Sequence, residues 1–333
     1  MTDDDFKPTR MKLATITGFI EKFIAESTDK SKETRGTYRR ALREFTVFFS
    51  RDRLFMFRTR DVLRYRDYLS RVKELREISI STYMTALRRF CQYLADTGVI
   101  ESNPAKLVTG GRRPKSHSRT FLTLQEVDAL LNSIETDSVA GLRDRAIIYV
   151  MLGCACSELE ISHADAGDLK KTGDTWTLYV QGKGKTVKDE PVEVPEAAAV
   201  AIELYHKSLD VEITPSWPLF ASRSNRTLNR RMSIRGIRES ISQRLKSSNV
   251  KRGRDLKLTP FSLRHTAGIL MAEAGYSVED VMKRMRIEWR PTAQLYFKQK
   301  GALRSEKTPE SAALIDIKPQ ISDIQNSASK ADK

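Results

Sequence analysis

Three side chains in this sequence could together transfer a phosphoryl group. Arg264 stands beside His265 at the start of an apolar-periodic segment, Tyr296 lies near the end of the segment that follows, and Lys183 sits in the turn Gly182-Lys183-Gly184-Lys185. A phenol, with an ordinary pKa of about 10, attacks a phosphodiester only when cations hold the phosphate and ease the proton from the hydroxyl. Guanidinium does both, binding two non-bridging oxygens in a planar fork. The leaving 5′ oxygen needs a proton, which a lysine on a hairpin turn can deliver. Singly these residues say little, since a Gly-Lys-Gly turn is more often a plain hairpin tip and a helical tyrosine more often packs than reacts. The elements around them decide whether they meet.

Arg264 and His265 open a predicted helix that Gly275 ends, and Ser277 with Asp280 caps the next, which carries Val278, Val281, Met282 and Met285. Two short helices of this kind can fold back so that an arginine at the start of the first meets Tyr296. The stretch TWTLYVQGKGKTVKDEPVEVP alternates apolar residues on both sides of a Gly/Lys turn, which predicts a β-hairpin with Lys183 at its tip. Earlier, Thr123-Leu-Gln-Glu126 has the capping-box pattern and opens a helix, and a second helix is predicted from Leu142 to about Leu159. Pro195 starts another through Leu209, and the remainder to Phe297 reads as mostly helical. Arg235 begins an arginine-rich helix and suits a phosphate contact as well as it suits a solvated face.

Residues 11–102 read as a bundle of amphipathic helices. The stripes are Ile16, Phe19, Ile20, Phe23 and Ile24; Tyr38, Leu42, Phe45 and Phe49; Val62, Tyr65, Leu69 and Val72, with Asp61 as N-cap; and Tyr83, Leu87, Phe90 and Leu94, ended by Gly98. Opposite faces carry Arg35, Arg39, Arg40, Arg43, Arg88 and Arg89, either a solvated surface or a set of phosphate contacts. Periodicity stops over residues 103–120, a basic Gly/Ser-rich linker in which Arg112, Arg113 and Lys115 could lie along a duplex backbone. Residues 121–300 form the second domain, and 301–333 read as a mobile polar tail.

The chain has 333 residues, and its 58 Lys+Arg against 43 Asp+Glu give a net charge of +15. That balance draws the chain to a polyanion, although it also suits a membrane surface or plain solubility. No apolar stretch nears the ~20 residues that span a bilayer, and the start MTDDDFKPTR lacks the order of a secretory signal, so a cytoplasmic protein is expected. Cys91, Cys154 and Cys156 make no disulfide framework and no zinc-finger spacing. His117, His163 and His206 likewise lack metal-ligand spacing.

Taken in order, these features resemble the tyrosine recombinase, or phage integrase, family: helical bundle, basic linker, Leu142-Arg-Asp-Arg-Ala146, the Gly-Lys-Gly hairpin, Leu263-Arg-His-Thr266, Glu273-Ala-Gly275 and Thr292-Ala-Gln-Leu-Tyr296. The similarity runs from about residue 12 to 300. It implies a mainly α chain, with a four-helix SAM-like DNA-binding bundle followed by an α+β catalytic domain that holds a small antiparallel sheet. It further implies a clamp around double-stranded DNA and self-association on DNA from dimer to tetramer, or pairing with another recombinase. Tyr296 would attack the scissile phosphate, Arg264 would hold it, Lys183 would protonate the leaving oxygen, and His265 would support the site. Bond energy is conserved in the phosphotyrosyl link, so the resemblance implies no cofactor and no metal.

The sequence also departs from the family pattern. Counting on from Ala146 puts Ser157 where the family's first arginine stands, whereas matching the Ser-Glu-Leu wording puts Ala155 there. Phe261 follows Pro260 where histidine or lysine is usual, and Arg286-Ile287 replaces the usual Gly-His. Ser157, Phe261 and Ile287 are thus expected to be substituted active-site positions, with Arg286, Arg290, Lys283 and Arg284 as nearby cations. The expected function is site-specific DNA cutting and rejoining for a mobile element. The alternatives are a catalytically silent paralogue acting as a DNA-binding accessory and, more distantly, a helical transcription factor.

Overall fold

The computed structural model describes residues 11–111, 120–182, 184–250 and 258–298. They fall into two compact units that divide between residues 115 and 116. The first contains α1 (Leu13–Glu26), α2 (Lys32–Arg51), α3 (Thr59–Asp67), which runs on as a π-helical segment Tyr68–Val72, and α4 (Glu77–Asp96). Its core is aromatic: the Phe45 ring meets Phe55 and Tyr65 edge-on at 5.3 Å each, and burying one such ring contributes roughly 1.5–3 kcal/mol. The apolar stripes supply this core, with Ile16, Ile20, Leu42, Phe45, Tyr65, Leu69, Leu87 and Leu94 all buried. Gly98, at φ +69°, follows the end of α4 in the left-handed conformation that glycine tolerates best.

Three details of this unit differ from the sequence reading. Asp61 lies inside the first turn of α3, where its carboxylate accepts the Arg58 and Met56 amides at 3.0 and 2.8 Å and caps the helix from within. Val72 is exposed, because the wider π turn rotates the end of α3 away from the core face. Arg88 is engaged in structure, its Nε donating to the Ala105 carbonyl at 3.1 Å and its Nη2 to that of Val108 at 2.8 Å. Those bonds, with the burial of Ala105 and Val108 in the same core, fasten residues 103–108 to this unit, so the loss of helical periodicity at 103 comes before the chain leaves its core.

The second unit is built on two helices that are apolar all round, which is the pattern of a helix surrounded by neighbours. α6 (Val139–Gly153) is buried from Ala146 through Gly153, and α10 (Phe261–Glu273) from Ser262 through Ala272. α5 (Leu124–Asn132), α7 (Glu158–His163), α8 (Glu196–Lys207), α9 (Ile234–Ser247), α11 (Val278–Met285) and α12 (Arg290–Phe297) complete the helices, beside an antiparallel sheet of β1 (Leu169–Thr172), β2 (Thr175–Val180) and β3 (Glu190–Val194). The expected capping boxes form at Thr123 and Ser277. The expected hairpin is β2–β3, with Leu178 opposite Val192. The helix expected from Leu142 to about Leu159 is two: α6 begins earlier and stops at Gly153, Ala155 turns left-handed at φ +47°, and Ser157 caps α7. The wording Leu-Arg-Asp-Arg-Ala turns out to fasten helices, as Asp144 accepts from Arg143 Nη2 at 2.7 Å, Ser240 Oγ at 2.8 Å and Arg244 Nε at 2.8 Å and so locks α6 to α9.

Candidate active site

Arg264 lies in the first turn of α10, and α12 packs across that helix and buries Tyr296 against it. The crossing depends on Gly268, where an added Cβ would stand 2.8 Å from the Tyr296 ring and 2.9 Å from Met285 Sδ. Tyr296 is 2 % exposed, and its hydroxyl shares a 3.2 Å hydrogen bond with His265 Nδ1. Burial pushes the phenol up to about 12, with the Arg264 charge pulling the other way. The nucleophile candidate is therefore held protonated as the chain stands.

A carboxylate that the sequence reading did not single out organises the cationic side of the site. Glu160 lies in the first turn of α7, where its Oε2 accepts the Ser157 amide at 2.6 Å and the Ser157 hydroxyl at 2.7 Å. Arg264 Nη1 donates to Glu160 Oε2 at 2.9 Å and to the Ala155 carbonyl at 2.6 Å, and Arg264 Nη2 donates to the Met285 carbonyl. Arg286 approaches the same carboxylate, donating through Nε to Oε1 and through Nη2 to Oε2 at 3.1 Å and to Ala155 O at 3.0 Å. Burial raises the Glu160 carboxyl, but the Arg286 and Arg264 charges outweigh it and hold the group below its ordinary value. Arg286 Nη2 lies 3.9 Å from Cys156 Sγ. The pattern Ser-x-x-Glu at 157–160 was the available signal for Glu160, because a capping box ties that side chain to the turn occupied by Ser157.

The other expected residues fall in three places. Phe261, where the family pattern has histidine or lysine, packs its ring edge-on to His265 at 5.1 Å, and His265 in turn lies 5.8 Å from the Tyr296 ring. Ile287 packs partly buried against the cluster that holds Tyr296. Among the other nearby cations, Arg290 pairs with Glu279, and Arg284 pairs with Glu193 and bonds the Tyr276 hydroxyl at 2.9 Å. Lys183 lies outside the described residues, as do Arg112, Arg113 and Lys115. Its neighbour Lys185 is paired within the hairpin to Glu190 at 2.5 Å and Asp189 at 3.0 Å. In the first unit Arg39, Arg40 and Arg89 are exposed and Arg35 half-buried, while in the second the exposed Arg235 pairs with Glu239 at 2.7 Å. Among the described residues no helix is long and apolar enough to cross a membrane.

Residues 120–300 match the phage integrase family and residues 15–110 match the phage integrase SAM-like domain. The chain is 26 % identical over 270 residues to the tyrosine recombinase XerC of Leptospira interrogans, covering 80 % of this chain and 83 % of that protein. It is 27 % identical over 282 residues to XerC of Escherichia coli, covering 83 % and 88 % respectively. Its fold is similar to that of the XerH site-specific recombinase bound to a palindromic difH substrate, with a TM-score of 0.66 at 15 % identity over 85 % of this chain and 81 % of that one. A likeness of the same kind links it to lambda integrase residues 75–356, a dimer bound to a core site, with a TM-score of 0.65 at 15 % identity over 90 % of this chain and 100 % of that one. The chain belongs to the phage integrase family, the tyrosine recombinases.

Proposed function

We propose that this protein cuts and rejoins double-stranded DNA at specific sites, as the recombinase or integrase of a mobile element, through a 3′-phosphotyrosyl link to Tyr296. The observation that supports it most is the burial of Tyr296 on α12 against α10, the helix that carries Arg264, within reach of that arginine's charge. The Tyr296 hydroxyl releases its proton to solvent as its oxygen attacks phosphorus, the bond to the 5′ oxygen breaks, and that oxygen takes a proton from Lys183, which regains one from solvent. Reversal by a partner strand's 5′ hydroxyl restores the phosphodiester and frees the tyrosine. Arg264 grips the non-bridging oxygens while charge builds on them, a role whose loss costs about 10²–10³ in rate. Tyr296, buried and bonded to His265, must first be released, and assembly of two to four protomers on DNA supplies that movement. The exposed Arg39, Arg40 and Arg89 then meet phosphates.

A second reading, a silent DNA-binding paralogue, draws support from Phe261 and Ile287, which offer packing where the family pattern has hydrogen-bonding groups, and from Ser157, which caps α7 where a guanidinium is expected. One experiment separates the two. A duplex selected for binding to this protein from a random-sequence pool is nicked so that cleavage traps the intermediate. Active protein becomes covalently joined to it and Tyr296→Phe does not. A protein that binds the duplex tightly and never becomes linked to it supports the silent reading.

A further inference from the structure

The residue that ends α11 is an arginine in a conformation that suits glycine. Arg286 has φ +52°, a left-handed backbone that few residues with a Cβ adopt. Its side chain turns inward, only 9 % exposed, and its guanidinium reaches Glu160 and the Ala155 carbonyl, the same two acceptors that Arg264 uses. A bulky side chain kept where the backbone favours none, and folded onto a buried carboxylate, points to a requirement for its charge.

The cluster is also short of negative charge. Two guanidiniums share one carboxylate, and all three side chains are nearly dry, at 10, 9 and 5 % exposure for Arg264, Arg286 and Glu160. Uncompensated charge in such a setting is unfavourable, and a phosphodiester carries the single negative charge that would balance it. Donors remain for it. Arg264 keeps its Nε–H and one Nη2–H, and Arg286 one Nη1–H, without an acceptor among the described residues. Neither Ala155 nor Ser157, on the turn between them, can supply a cation.

We infer that Arg286 is the second guanidinium of the phosphate clamp, delivered from the α11–α12 turn to the place where the turn before α7 lacks one. This rests on the reading of the site as a phosphodiester-handling site. It makes the substitution at Ser157 one half of an exchange, in which the cation has moved across the fold and a left-handed arginine stands in a glycine-favouring position. Fork geometry matters as well as charge, since an ammonium at that position cannot hold Glu160 and a phosphate oxygen together.

The test uses the full chain and the selected duplex in two forms, one nicked to trap cleavage and one carrying a single neutral methylphosphonate at each position in turn. Arg286→Gly relieves the backbone and removes the cation. It is expected to keep the fold, to lose about 10²–10³-fold in the rate of covalent joining, and to regain much of it when Ser157→Arg is added. Arg286→Lys is expected to lose about tenfold or more in the rate of covalent joining per folded molecule. In binding, the parent should discriminate against a neutral linkage at one position, and Arg286→Gly should lose the part of that discrimination that Arg264 does not supply. Covalent joining by Arg286→Gly at the parent rate overturns the inference and leaves the reading of Tyr296 intact. If Arg286→Gly does not fold, Arg286→Lys decides, a parental rate overturning the inference. If the parent never joins DNA, strand cleavage fails as a function, and the methylphosphonate scan alone decides for or against Arg286 as a phosphate ligand.

Discussion

Two buried clusters in the second unit are assembled from the same parts, one carboxylate, two guanidiniums and a serine hydroxyl. Around Asp144 stand Arg143, Arg244 and Ser240, and around Glu160 stand Arg264, Arg286 and Ser157. They differ in how the surplus positive charge is disposed. Arg244 leaves a quarter of its side chain in water, at 25 % exposure, so solvent screens the excess in the Asp144 cluster. In the Glu160 cluster both guanidiniums are shut in, backbone carbonyls take some of their donors, and Tyr296 lies within reach of the Arg264 charge. Under the inference drawn above, the same ingredients fasten helices when water can reach them and make a site for an anion when it cannot.

Breaking each cluster separately tests that contrast. Arg264→Ala should lower the rate of covalent joining to DNA by about 10²–10³-fold. Arg143→Ala should leave the rate per folded molecule unchanged and cost about 3–5 kcal/mol of stability, because it strips one partner from a buried ion pair. Denaturant unfolding and single-turnover cleavage on both variants check this, and a rate loss in Arg143→Ala comparable to that of Arg264→Ala would erase the distinction. Gly268→Ala is next in size. Its Cβ would press the Tyr296 ring and Met285, so a loss of about 1–3 kcal/mol is expected, with a rate change larger than the lost folded fraction explains.

Two titrations sharpen the comparison further. Glu160 sits below its ordinary value of 4.5 when folded, so its stabilising contribution is complete above that value and disappears as pH falls through the lower folded one. The urea midpoints of the parent and Glu160→Gln should therefore converge toward acid pH, and a constant gap would contradict the ion-paired state. Tyr296 behaves in the opposite sense. With its hydroxyl raised to about 12, the benefit of burying a neutral phenol is complete below the unfolded value of 10 and lost as pH rises through the folded one. Phenolate absorbance of the parent minus that of Tyr296→Phe should stay flat near the ordinary value and rise only at the higher one.

Much of this was legible in the sequence where a single residue type carried a single signal. The stripes of α1, α2 and α4 follow from helical spacing, and the capping boxes at Thr123 and Ser277 from two residues each. β1 was missed because Leu-Lys-Lys-Thr is a mostly exposed edge strand whose formation depends on Trp176 and Leu178 across from it. The break after Gly153 was hidden because apolar residues continue through it, and only the left-handed Ala155 and the Ser157 cap reveal two helices. At the site, Arg264 and Tyr296 could be paired from family wording. Glu160 and the inward turn of Arg286 could not, since both depend on a contact between α7 and the end of α11 that no local pattern encodes. Arg88 shows the same limit from the other side, because an arginine opposite an apolar stripe reads as surface until its carbonyl partners are known.

The most direct measurement is to digest the product formed on a nicked selected duplex and sequence the peptide attached to DNA by mass spectrometry. The account predicts one linked peptide, with Tyr296 joined to a 3′ phosphate, and none from Tyr296→Phe. Attachment through any other residue, or recombined DNA produced by the Tyr296→Phe protein, would contradict it.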